Sequence, residues 1–277
     1  MARIVGGFVA PHNPVMYFNP EGASKQQSDA CYAAYGKMAD RIKELEVDAA
    51  IVIGCDHYIL FGTECLPPYV ISTGEIEGPV DQLPGLKRKP LASHGALGEH
   101  IAKVGRETGF DWTVGRALNV DHSVAVPHHL MLEPTGKDIP IVAVMLACGV
   151  DPYLPMKRAW DLGEHIAEAV ASFPGDERVV VIGSGGISHH VGDERMGEVN
   201  PTFDRKVLDI VARGDKAAML ALTDEEILRD GGNGAMEIRT YACAMAATRA
   251  AGGRVIGYEP VAGWVTGMGF AELEVAA

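Results

Sequence analysis

The chain has 277 residues, enough for one large α/β domain or two small ones, and is 47% hydrophobic and 22% charged, the composition of an ordinary globular protein. The formal net charge of −13 argues against a nucleic-acid face, which would need clustered Lys and Arg; the basic cluster Lys87-Arg88-Lys89 reads as a solvated loop. No apolar run reaches the roughly 18 residues that span a membrane, and MARIVGGFVAPHNP lacks the ordered regions of a signal peptide, so it reads as a first strand. Apolar, β-branched runs follow in chain order: 2–10, 47–54, 139–147, 177–183 and 253–258. Near-continuous apolar runs suit strands buried on both faces. Helical patterns lie between them at about 28–46, 92–108, 155–172, 203–213 and 235–251, the second with Ser93 as N-cap and Gly109 as its stop. The alternation predicts an α/β sandwich around a largely parallel or mixed central sheet, as one domain over 1–277. Residues 62–90, rich in Pro and Gly, read as an excursion from the sheet, a small hairpin or a lid.

The cysteines are Cys31, Cys55, Cys65, Cys148 and Cys243. Their number is odd and no C-x-x-C occurs, so they read as reduced, buried thiols of a cytoplasmic protein, and a cysteine-built zinc site is not expected.

Ligands of open α/β sheets bind beyond the carboxyl ends of the strands. The first strand runs into Pro11-His12-Asn13-Pro14, whose prolines stiffen the loop around His12. The second delivers an acid–imidazole pair, Asp56-His57. The fourth ends in Gly-Ser-Gly-Gly-Ile-Ser before His189 and His190. Asp121-His122 follows a further strand-like segment, DWTVGRALNV. A lone histidine after a strand is most often a polar loop residue; His94, His100 and His165, in helical patterns, read as surface residues. His128 and His129 follow Pro127 and stay at the margin of the reading. Glu237 opens the helix after DGGNGAM, where it serves either as a dipole-stabilising acid or as a carboxylate facing the sheet edge. Two histidines and one carboxylate make the facial triad of non-haem Fe(II) oxygenases, which leaves the opposite side of the metal open. GSGGIS matches neither phosphate-binding glycine pattern, so a nucleotide site is not expected.

Ala10-Pro11-His12, Cys55-Asp56-His57, Val120-Asp121-His122-Ser123, Gly183-Ser184-Gly185-Gly186-Ile187-Ser188-His189 and Asn233-Gly234-Ala235-Met236-Glu237 stand in one order. With that ordered set the chain resembles the class III extradiol ring-cleavage dioxygenases, of the protocatechuate 4,5-dioxygenase catalytic β-subunit type, over roughly residues 3–270. The resemblance implies Fe(II) held by His12, His57 and Glu237, with His189 as acid–base group and His122 contacting the substrate. It implies a catechol-type aromatic diol and O2 as reactants, a homo-oligomer, and either self-sufficiency or a separate small partner subunit over the site. It leaves His190 without a fixed role. Near the C-terminus, Ala262 stands where a serine lies near the substrate carboxylate in the protocatechuate enzymes, which argues against a carboxylate-bearing substrate. Trp264 is expected either to pack on the substrate ring or to be a core residue. Other readings are a 2-aminophenol-cleaving dioxygenase, a relative that has lost iron and catalysis, and a zinc hydrolase using the same three ligands.

Overall fold

Residues 1–57, 59–62, 64–149 and 151–275 are described by the structure, a computed structural model. Its strands are β1 (Arg3–Ala10), β2 (Ala49–Cys55), β3 (Tyr69–Gly78), β4 (Lys89–Leu91), β5 (Thr113–Asn119), β6 (Ile141–Leu146), β7 (Arg178–Ser184), β8 (Gly252–Val261) and β9 (Thr266–Glu274). Its helices are α1 (Val15–Phe18), α2 (Lys25–Glu44), α3 (Gly95–Thr108), α4 (His122–Pro127), α5 (Met156–Ser172), α6 (Pro201–Ala212), α7 (Lys216–Ala221), α8 (Asp224–Glu226) and α9 (Ile238–Ala247).

The strands form one mixed sheet in the order β4-β3-β6-β2-β7-β1-β9-β8, with β5 also paired to β3. Its centre, β6-β2-β7-β1, is parallel. β3 and β9 flank that centre antiparallel. The sequence explains the centre: β2, AAIVIGC, is buried at every position. Ile51 and Ile53 face a core shared with α3, α5, α6 and α9, while Ala50 and Val52 face a second core against α2. Each such Val or Ile, fully buried on one of two covered faces, contributes about 1.5–3 kcal/mol of apolar burial.

Helix starts differ from the sequence reading where side chains cap differently. α2 begins at Lys25 because Ser24 and Gln27 form a reciprocal capping box. α3 is capped by the His94 ring, which accepts from the Leu97 N–H; Ser93 instead donates to the Gly74 carbonyl. Gly109 does end α3, in the left-handed conformation at φ 90°. His165 is a correction: it is buried, takes the Trp112 indole N–H at 3.1 Å and stacks on Phe110. Cys65 is exposed, while the other four cysteines are buried, all five as free thiols.

The expected excursion over 62–90, in which Thr63 lies outside the described residues, contains strand at 69–78 and 89–90, and β3 and β4 pair antiparallel as the small hairpin expected. β3 pairs directly with β6, and Lys89 opens β4 rather than closing a loop. Glycine and glutamate inside ISTGEIEG mask the strand, and a register shift between Ser72 and Glu75 bends it there. No helix among the described residues is long and apolar enough to cross a membrane.

Candidate active site

The parallel register determines which loops meet. Ala10 at the end of β1 lies opposite Ser184 at the end of β7, and Ile53 of β2 lies opposite Gly183. His12, His57 and the 185–189 loop therefore leave the sheet side by side at one edge. His122 arrives by another route. β5 is parallel to β3, which is antiparallel to β6, so β5 does not end at that edge as an equivalent strand would. Instead α4 is pinned there: the Ser123 hydroxyl donates to the Cys55 carbonyl at 2.7 Å, and the Ser184 hydroxyl donates to the Ser123 carbonyl at 2.6 Å.

These bonds determine the tautomers. The Ser184 hydroxyl has given its proton to Ser123, so toward His12 Nδ1, 3.0 Å away, it accepts. The Asp121 carboxylate accepts from both the backbone N–H of His57, at 3.1 Å, and its ring Nδ1, at 2.9 Å. The His57 ring beside it holds Asp121 below the usual carboxylate range against the opposing effect of burial. Both rings thus donate from Nδ1, which leaves Nε2 as the nitrogen that would face a metal; without one, burial lowers the His57 pKa but Cys55 and Asp121 more than offset that and hold it well above its ordinary value.

Both Nε2 atoms face Glu237. His12 Nε2 is 3.3 Å from Oε2, and His57 Nε2 is 3.1 Å from Oε1. Oε2 also accepts from the Gly186 backbone N–H at 2.7 Å. The glycine loop therefore cradles a carboxylate of its own chain, and no phosphate is needed to explain it. Burial raises the Glu237 carboxyl, but the His12 ring and then the His57 ring more than offset that, holding it well below its ordinary value. Two imidazole nitrogens and an ionised carboxylate facing one another need a positive charge between them, supplied by a proton or by a metal ion. Atoms that ligate one ion at about 2.1 Å and at right angles stand about 3 Å apart. The donor set fits a metal ion. Cys55 Sγ also lies within reach, 3.5 Å from Glu237 Oε1. Burial, followed by the charge of Glu237, pushes its thiol well above the ordinary value, so it stands as an S–H donor.

His189 projects from the same loop, with Nε2 3.9 Å from Glu237 Oε1. Its Nδ1 donates to the Ile187 carbonyl at 3.1 Å, leaving the Nε2 lone pair free. Burial lowers its pKa, opposed by Glu237, so the ring is neutral at pH 7. Glycine is required around it, since a Cβ on Gly234 would lie 2.1 Å from His189 Nε2. His122 stacks on His57 with ring centroids 4.0 Å apart. Asp81 accepts its backbone N–H at 2.7 Å and sets a carboxylate oxygen 3.2 Å from its Nδ1. Burial and then the His57 ring lower the His122 pKa. The five groups line one cavity of about 250 Å³.

The description "Catalytic LigB subunit of aromatic ring-opening dioxygenase" belongs to the family whose sequence pattern matches residues 6–269. The chain belongs to this family. It is an extradiol ring-cleavage dioxygenase. A 2,3-dihydroxyphenylpropionate/2,3-dihydroxicinnamic acid 1,2-dioxygenase of Burkholderia vietnamiensis is 27% identical to this dioxygenase over 93% of each chain. A gallate dioxygenase of Pseudomonas putida is 31% identical over 55% of this chain and 45% of its own. An uncharacterized protein of Escherichia coli K12 has the same fold, with a TM-score of 0.58 at 11% identity over 97% of this chain and 99% of that one.

The site of this dioxygenase departs from the sequence reading in particulars. Asp56 is not the partner of His57; it accepts the backbone N–H groups of Leu60 and Phe61, and Asp121 orients the ring. Trp264 does not reach the cavity. Its side chain is fully buried in the core, donating to the Asn19 carbonyl, and Ala262 is exposed. Val265 and Thr266 form the wall there. His190 is buried away from the cavity, with Nδ1 3.0 Å from Asp193. His128 and His129 lie beside Glu133, outside the cavity. Sequence reasoning misses the supporting roles of Asp121, Ser184, Ser123 and Asp81. Only Asp121 carries a local signal, an Asp-x-Ser helix start.

Proposed function

We propose that the chain, as one catalytic domain, binds Fe(II) through His12, His57 and Glu237 and opens the ring of a catechol-type diol by inserting both atoms of O2. The observation that carries this reading is the pair of Nε2 atoms converging on Glu237 beside a largely apolar cavity. Fe(II), when bound, supplies a centre at which diol and O2 react with each other, and no further reductant is consumed. The chain supplies the rest. His189, neutral and with its lone pair at Nε2, takes a proton from a substrate hydroxyl and returns it as the ring opens. His122, held by Asp81 and by stacking on His57, orients the substrate oxygen and stabilises charge on it. The apolar walls exclude water from the reacting atoms.

The test is anaerobic Fe(II) loading, followed by air and a panel of catechols and 2-aminophenols, read by the absorbance of a ring-opened product. His189→Phe is expected to keep its iron and lose ring opening, whereas His12→Ala and Glu237→Gln are expected to lose iron. Full turnover by His189→Phe would sink the acid–base assignment.

A further inference from the structure

The cavity has an apolar side as well as its five reactive groups. Beyond the five groups that face the metal position, its wall includes Pro14, Val15, Val191, Met196 and Val265. No Lys or Arg lines it among the described residues. Val191 and Met196 stand at its rim, 54% and 55% exposed, and offer apolar surface that a ligand could cover. The segment that carries them, VGDERMGEV at 191–199, holds three acids and one arginine. That arginine is spoken for: Arg195 Nε donates to Glu198 at 2.9 Å, and its guanidinium lines a separate depression beside His190. The chain as a whole is at −13. A carboxylate on the substrate would find no Lys or Arg along this wall to replace its water.

We propose that the preferred substrate is an uncharged catechol bearing a short apolar substituent, whose tail lies along Val191 and Met196. This rests on the dioxygenase reading of the site, and it sets this chain apart from the relative named for dihydroxyphenylpropionate, a carboxylate. An apolar tail covering the two rim side chains gains affinity by removing water from both surfaces, about three- to fourfold per buried methylene.

The test uses the Fe(II)-loaded full chain under argon, titrated by calorimetry with catechol, its methyl, ethyl and propyl derivatives at the 3- and 4-positions, and 3,4-dihydroxybenzoate. kcat/KM in air is then measured for the same compounds. Kd is expected to fall about threefold with each added carbon in one of the two series, and the carboxylate to bind at least about tenfold more weakly than the alkyl compound of similar size. Met196→Lys is expected to narrow or reverse that ratio by placing a cation at the rim. If the carboxylate binds more tightly and is opened faster than its alkyl counterparts, the inference falls while the dioxygenase reading stands. If no catechol of either kind binds, both fall. A ratio unchanged in Met196→Lys removes the rim from the argument and overturns the proposed tail position.

Discussion

Gly234→Ala isolates the placement of one ring. Gly234 has an ordinary backbone conformation, so alanine brings no φ strain; its Cβ would instead lie 2.1 Å from His189 Nε2 and Cδ2. Ordinary contact begins at 3.4 Å, so the ring must retreat by about 1.3 Å. Gly186 abuts its other edge, where an added Cβ would be 2.8 Å from Cε1, so little room remains except toward the cavity. A misplacement of about 1 Å costs on the order of a hundredfold in rate, or about 2.7 kcal/mol of transition-state stabilisation. The expected result is kcat/KM lowered about a hundredfold on the best catechol, with iron content unchanged. Crowding itself is expected to cost about 1–3 kcal/mol of stability, measured by urea unfolding of the same preparation. Wild-type kcat/KM together with wild-type iron content would refute the claim that the position of His189 limits the reaction.

Asp121→Asn removes the charge that orients His57 and is expected to weaken Fe(II) retention about 10- to 100-fold, measured by competition with a chelator; unchanged affinity would deny Asp121 that role. Gly36 lies exposed inside α2, where an added Cβ would meet nothing within 4 Å, so Gly36→Ala is expected to stabilise by about 0.5–1 kcal/mol without touching kinetics. Burial raises the Asp204 pKa from 3.8 to about 6, against the hydrogen bonds from Tyr258 and Ser188 that lower it. Because the folded state holds this proton more tightly than the unfolded one, stability is lost as pH rises from about 4 to 6, by about 3 kcal/mol for this group. Asp204→Asn should remove that component, so the stability difference between wild type and variant should change across that window and be flat above it. A difference that does not vary with pH would contradict the raised value.

The parallel centre of the sheet was legible because β2, β6 and β7 are apolar without interruption, as strands covered on both faces must be. β3 and β9 were not, because Glu75, Glu77 and the glycines of TGMGF break the apolar run, and their pairing is decided by partners far along the chain. In the site, His12, His57, His189 and Glu237 stood out because each follows a strand or a glycine turn. Their supports did not. Ser184 and Ser123 look like ordinary residues of a strand end and a helix start, and their meaning arises only when β7 and α4 are brought together. Asp56 sits next to His57 in the chain, yet Asp121 is the residue that holds the ring: adjacency in sequence says little about which carboxylate an imidazole will meet in space. Trp264 and Ala262 failed as cavity residues because the turn that carries them points the indole into the core.

The two buried hydroxyls of Ser123 and Ser184 run as a chain from the end of β2 across α4 to the ring of His12. α4 is also where His122 sits, and its first residue follows the carboxylate that steers His57. The groups that would hold the ion and the group that would meet the substrate are consequently members of one mechanical unit. Lengthening or shortening the 119–123 connection by a single residue would disturb three imidazoles together, whereas the 191–199 rim shares none of those bonds. Such a division leaves selectivity free to drift in a lineage while the reaction itself stays fixed.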